Sequence, residues 1–225
     1  GAQKPVTLGR PLAYHANRDK PSSEQVIGPA SGPSGVTPNE YGSAELPYTT
    51  KRTNNGFGPT DSSGFAYSTT RGYPFSAAGK LYFKIGSSTY VCSGALIKPG
   101  IVVTAAHCVF DYSNPKKGWY GSWQFVPALD NNYAPYGIIN AVFAYIPGSY
   151  YNGTDTCSVT GVVCNNDVAV IVLDKYATTN REIGYTVGWL GYGWDGWGFV
   201  NNKMIQITQL GYPSDLDSGA LQQRT

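Results

Sequence analysis

Tyr90-Val91-Cys92-Ser93-Gly94-Ala95-Leu96-Ile97-Lys98-Pro99-Gly100-Ile101-Val102-Val103-Thr104-Ala105-Ala106-His107-Cys108 is the most informative run in the chain. Residues 90–97 and 101–104 are rich in β-branched and apolar side chains, and Lys98-Pro99-Gly100 between them carries turn chemistry, so the run predicts a β-hairpin. Its second arm ends in two alanines, whose small side chains let other segments come close to the next residue, His107. Cys92 and Cys108 lie sixteen positions apart on opposite arms. A bond between them pins the strand end that presents His107, and closing a loop of that size stabilises the fold by about 3 kcal/mol in the chain-entropy model. Four cysteines allow three pairings, and the hairpin favours this one, which leaves Cys157 and Cys164 to close a short loop just ahead of Asp167. None of the four sits in a C-x-x-C pair, so two disulfides in an oxidising compartment are expected rather than a zinc or redox site.

Outward from this hairpin the same texture continues. Short β-rich runs fall at 81–85, 123–126, 138–146, 168–173, 185–190 and 204–210, a spacing that suggests a barrel or sandwich. Residues 168–173 are apolar at every position, which predicts burial on both faces. With 28 Gly, 15 Pro and 18 Tyr, and only 13% charged residues, the composition argues against a helical bundle. Residues 1–78 hold nine of the fifteen prolines and few apolar runs, so they are expected to form an extended arm on a neighbouring surface, without a core of their own. A net charge of +2 with scattered Lys and Arg gives no basic stripe, so nucleic acid is not an expected partner. No apolar stretch approaches the roughly 20 residues of a membrane-spanning helix, and the chain reads as soluble and already processed. Asn152-Gly153-Thr154 matches a glycosylation acceptor.

The Thr104 to Cys108 motif, with its preceding cysteine at 92, resembles the histidine motif of the chymotrypsin-like (trypsin-fold) serine peptidases. Asp167-Val168-Ala169-Val170 resembles that family's second motif, an Asp that opens an apolar strand. Phe125-Val126-Pro127, Ala134-Pro135-Tyr136-Gly137, Gly188-Trp189-Leu190-Gly191-Tyr192 and Gly211-Tyr212-Pro213 are similar to the secreted microbial branch that includes the glutamyl endopeptidases. The resemblance implies an all-β, chymotrypsin-like double β-barrel. The arm would occupy residues 1–78, the first barrel 79–180, and an incomplete second barrel 181–225. It also implies a secreted serine endopeptidase acting on a protein or peptide, with no cofactor. His107 would be the general base and Asp167 the carboxylate that orients it, because a serine hydroxyl is a weak nucleophile until an imidazole takes its proton. Sixty positions separate the two residues, so the loop with Cys157 and Cys164 reads as an insertion.

The family's third motif, a Gly-x-Ser-Gly-Gly-Pro-like turn presenting the nucleophile, is not in the chain. Asp217-Ser218-Gly219-Ala220 imitates it but has Leu216 and Ala220 where the oxyanion-hole turn wants glycine, and Ser218 is read as part of a surface turn. The expectation is therefore a two-chain enzyme in which this chain is the larger, amino-terminal piece and a C-terminal chain of the same precursor supplies the nucleophilic serine. The alternative is a non-catalytic, protease-like binding protein that has lost its serine. His15 is read as a solvated loop histidine. The aromatic cluster Trp189, Tyr192, Trp194, Trp197 and Phe199 is read as core and loop packing in preference to a ligand-stacking surface. Asp130-Asn131-Asn132 is read as a turn, and no set of Asp, Glu or His has metal spacing.

Overall fold

The computed structural model describes residues 12–15, 39–40, 50–53, 69–131, 133–176, 179–192 and 208–225. Its strands are β1 (Leu12–His15), β2 (Asn39–Glu40), β3 (Lys51–Arg52), β4 (Ala78–Ile85), β5 (Ser88–Lys98), β6 (Ile101–Thr104), β7 (Gly121–Pro127), β8 (Ile139–Ile146), β9 (Cys157–Val159), β10 (Val163–Cys164), β11 (Ala169–Leu173), β12 (Leu210–Gly211) and β13 (Gln223–Arg224). The only α-helices among the described residues are the short α1 (Gly148–Asn152) and α2 (Gly184–Val187). The fold is thus all-β. Among the described residues no helix is long and apolar enough to cross a membrane.

Six antiparallel strands close on themselves in the order β4, β5, β6, β11, β8, β7, with β7 pairing both β4 and β8. Closure leaves one inward face, and the side chains that fill it include Leu81, Phe83, Leu96, Val102, Trp123, Phe125, Ile139 and Ile171. Gly79 and Gly94 face each other across β4 and β5, and their missing side chains make the slot that the Phe125 ring occupies. A Cβ on Gly79 would lie 2.6 Å from that ring and 2.5 Å from the Val126 carbonyl oxygen, so the chain needs glycine there.

Burial along β11 alternates, with Ala169, Ile171 and Leu173 inside and Val170 and Val172 half-exposed. The two-faced burial expected of this apolar run is therefore corrected: β6 and β8 flank β11 in the sheet, and its outer face is only partly covered. Two-faced burial belongs instead to β4, six of whose eight residues are buried. A second apolar layer of Tyr82, Val91, Val126, Leu129, Ala134, Ile138 and Tyr212 covers its outer side. The cover comes from Leu129, Ala134 and Ile138 in the segment between β7 and β8 and from Tyr212. The Tyr212 hydroxyl donates to the Leu129 carbonyl at 3.0 Å, and its N–H donates to the Ser93 hydroxyl at 2.8 Å. Within residues 208–225, β13 pairs with β12 and with β3.

Residues expected as an extended arm contribute three strands. β1 adds to the barrel edge beside β8, β2 runs parallel to β5, and β3 joins β13. His15, expected in a loop, is the last residue of β1 and pairs with Phe143. The strand expected at 185–190 is replaced by α2 and irregular chain, with the Leu190 N–H donating to the Leu96 carbonyl. Trp189 and Tyr192 are 41% and 57% exposed, which overturns the core-packing reading for these two. The segment lies on the outside of the barrel, with Trp189 edge-on to Tyr185 and Lys98 over the Tyr192 ring. Trp194, Trp197 and Phe199 lie outside the described residues.

Candidate active site

The hairpin of β5 and β6 forms as its sequence predicts, with Ala95 opposite Val103 and Leu96 opposite Val102. After Thr104 the chain leaves the sheet and winds into a single 3₁₀ turn, Ala106–Cys108, in which the Cys108 and Val109 amides donate to Ala105 and Ala106. Ala106 is fully buried, so a larger side chain would have no room beneath the turn. The Cys92–Cys108 disulfide ties the turn back to β5 across a Cα–Cα distance of 6.3 Å. The Thr104 hydroxyl donates to the Ser93 carbonyl at 2.8 Å, a second tie at the same level.

Residues 107 and 167 meet because of strand pairing. β11 runs antiparallel to β6 with Ala169 opposite Thr104, so the start of one strand lies beside the end of the other. Asp167 precedes β11 as His107 follows β6. Both side chains are largely enclosed, His107 14% and Asp167 10% exposed. One oxygen of Asp167 accepts the His107 backbone N–H at 2.9 Å, and the other lies 2.7 Å from Nδ1. A carboxylate only accepts, so Nδ1 carries the proton and Nε2 is the basic nitrogen of the neutral ring. Gripping backbone and ring together, the carboxylate fixes both the position and the tautomer of the imidazole. When Nε2 takes a proton, the same carboxylate is in place to stabilise the imidazolium.

The loop before Asp167 is held by its own staples. The Cys157–Cys164 disulfide closes the hairpin of β9 and β10. Asp155, which the sequence reading did not single out, accepts bonds from both the backbone and the side-chain amide of Asn166. It stands twelve positions from Asp167 in a loop without periodicity, and no local signal distinguishes it from a solvated aspartate.

Ser218 is exposed in the turn Asp217–Gly219, where residues 217, 218 and 219 have φ of 51°, 52° and 65°. The turn is anchored on both sides. Asp217 pairs with Arg52 and accepts Gln223 at 2.7 Å, and the hydrogen bond from the exposed Arg52 holds its carboxyl below the usual range. On the other side the Lys80 ammonium donates to the Gly219 carbonyl at 2.6 Å. Lys80 is 4% exposed, and burial pushes it down to about 8.

A family model described as trypsin matches residues 63–212, a span that includes His107, Asp167 and both disulfides. The chain belongs to the trypsin family. It is 29% identical over 150 residues to a glutamyl endopeptidase of Bacillus licheniformis, covering 67% of this chain and 40% of that protein. To an extracellular metalloprotease of Bacillus subtilis it is 33% identical over 127 residues, covering 56% and 35%. The chain thus spans well under half the length of these curated relatives. Among solved structures it superimposes on a Glu endopeptidase in complex with MPD with a TM-score of 0.52 and 26% identity, over 69% of this chain and 63% of that one.

The name of the B. subtilis relative raises the question of a metal, and the donor chemistry answers it for the described residues. Two groups bring three His, Cys or Asp ligand atoms within 4.8 Å of one another: Cys92, His107 and Cys108, and Asp155, Cys157 and Cys164. In each, both sulfurs belong to a disulfide and are not thiolates, which leaves a single nitrogen or oxygen donor side chain. Neither group fits a metal ion.

Proposed function

We propose that this protein is a secreted serine endopeptidase that cleaves peptide bonds through an acyl-enzyme, with His107 as general base and acid and Asp167 as the carboxylate that orients it. The observation that carries the reading is the double contact between one carboxylate and His107, on the backbone N–H and on Nδ1. A structural histidine needs one partner for its ring. Here the carboxylate also holds the main chain, which leaves the basic nitrogen on the far side of the ring.

The nucleophilic serine is assigned to polypeptide that follows Thr225, as a C-terminal chain of the same precursor. Two findings support the assignment: Ser218 sits in a turn anchored by Arg52, Gln223 and Lys80, and the chain spans 40% of the glutamyl endopeptidase it matches. In the first step the serine proton passes to Nε2 of His107 as the serine oxygen bonds to the scissile carbonyl carbon. The imidazolium then gives that proton to the departing amine as the carbon–nitrogen bond breaks. Water repeats the sequence to release the acid. Secretion is supported by two closed disulfides, which persist in oxidising compartments.

The test is a fluorophosphonate probe on the protein purified from its source, followed by denaturing intact-mass measurement. Labelling on polypeptide beyond Thr225, lost in His107→Ala, is the expected result. A single unlabelled 24.2 kDa species would overturn it in favour of a non-catalytic binding protein.

A further inference from the structure

We infer that Asp155 is a positioning residue for the His107–Asp167 pair, acting through Asn166; the inference rests on the proposed peptidase reading for its kinetic consequences only. Between the end of β10 at Cys164 and the start of β11 at Ala169, Asp167 lies on a stretch that belongs to no strand. Its conformation therefore depends on bonds outside the sheet. The Asp155 carboxylate supplies two of them, both to Asn166, and accepts a third bond from its own neighbour Thr156. One oxygen accepts the Asn166 backbone N–H at 2.7 Å. The other accepts the Asn166 side-chain amide at 2.8 Å and the Thr156 N–H at 3.0 Å. Asn166 is the residue immediately before Asp167, and a two-point grip on it restricts the backbone rotations that aim the Asp167 side chain at His107.

Asp155 is itself well seated. Its carbonyl accepts the Tyr112 hydroxyl at 3.0 Å, and the Tyr112 ring packs edge-on against the buried Tyr150. Tyr112 lies four residues beyond Cys108, so the strut runs from the neighbourhood of the histidine turn, across Tyr112, to the loop that carries the carboxylate. The Asn165 N–H donates to the Thr156 carbonyl at 3.0 Å and the Cys157–Cys164 disulfide closes the hairpin between, so the two ends of the inserted loop are held together at the residue that precedes the functional one. The chemistry requires an aspartate. Three donors converge on two oxygens, and an asparagine would turn an amide donor toward N–H groups that already point inward.

The experiment compares Asp155→Ala, Asp155→Asn and Asn166→Ala with the wild type in two assays. The first is the downfield proton resonance of His107 Nδ1–H by NMR; with two histidines in the sequence it is assigned with His15→Asn, and it needs no serine. The second is steady-state kinetics of the full-length enzyme on a small peptide substrate. Asp155→Ala is expected to broaden the resonance by faster exchange and to lower kcat by about 10²-fold with KM within roughly twofold, the signature of a misaimed catalytic group. Asp155→Asn and Asn166→Ala, which each keep part of the grip, should fall between. A sharp, unshifted Nδ1–H signal in a folded Asp155→Ala variant, with kcat unchanged, overturns the inference. If Asp155→Ala does not fold, the same unchanged result in Asn166→Ala overturns it. A broadened resonance in a protein that shows no peptidase activity in the wild type would refute the functional reading and leave the positioning role standing.

Discussion

Lys80 offers a sharp test of how residues 208–225 dock on the barrel. Its side chain points into the second apolar layer, where it is 4% exposed, lies 5.5 Å from the Tyr82 ring centroid and has the Gly219 carbonyl as its hydrogen-bond acceptor. The nearby carboxylate of Asp217 is taken up by Arg52 and Gln223. Burial lowers the ammonium to about 8 from the ordinary 10.5. In that window the unfolded chain holds a proton that the folded protein releases, so stability rises with pH. The gap corresponds to roughly 3 kcal/mol, borne in full below about pH 8 and relieved by about pH 10.5. Between about pH 7.5 and 9.5 the expected gain is about 2 kcal/mol. The range stops there because burial raises Tyr82 and Tyr212, and ionisation of unfolded tyrosines then favours the unfolded state. Urea unfolding followed by tryptophan fluorescence measures it, with the slope in urea constant across pH. All four cysteines are in disulfides, so no free thiol starts exchange at the alkaline end. Lys80→Met keeps the chain length, loses the bond to Gly219 and has nothing to titrate. Its stability profile should therefore lack the rise, whatever its value at one pH. Parallel profiles for the wild type and the variant would refute the reasoning.

Two further predictions concern the scaffold of the site. Replacing Cys92 and Cys108 together by serine should cost about 3 kcal/mol in denaturant unfolding, from the sixteen-residue separation of the bridge. Gly79→Ala should destabilise by about 1–3 kcal/mol, because its Cβ meets the Val126 carbonyl and the Phe125 ring. Phe125→Leu, which empties part of the core by itself, should cost less in the Gly79→Ala background than in the wild type, and equal shifts in melting temperature in the two backgrounds would show that the ring is not what the methyl meets.

The hairpin, both disulfide pairings and the strand that follows Asp167 were legible because each depends on residues close in the chain. Turn chemistry sits at Lys98-Pro99-Gly100, cysteines sit on facing arms, and an apolar run follows an aspartate. Family resemblance then identified His107 and Asp167 as a pair, and the register of β6 against β11 supplies the physical reason that they meet. Other features had no local signal. Trp189 and Tyr192 have the composition of core residues, yet they lie on the outside of the barrel. Asp155 is an ordinary loop aspartate until its bonds to Asn166 are seen.

By itself, then, the sequence determined the β-rich class, the hairpin that carries the histidine turn and the cysteines that staple it, since periodicity and turn propensity act within a few residues. Tertiary structure alone decided which strand is covered on both faces. Residues 168–173 are continuously apolar but half-covered on their outer side, whereas β4, with a lysine in its midst, is enclosed because the segment after β7 and the turn from Tyr212 to Gly219 fold over it. A strand's side chains report which face turns inward. Whether the other face meets water or protein depends on chain arriving from far along the sequence, and so do the enclosure of a lysine, whose acceptor is 139 residues away, and the meeting of a carboxylate with a histidine 60 residues before it.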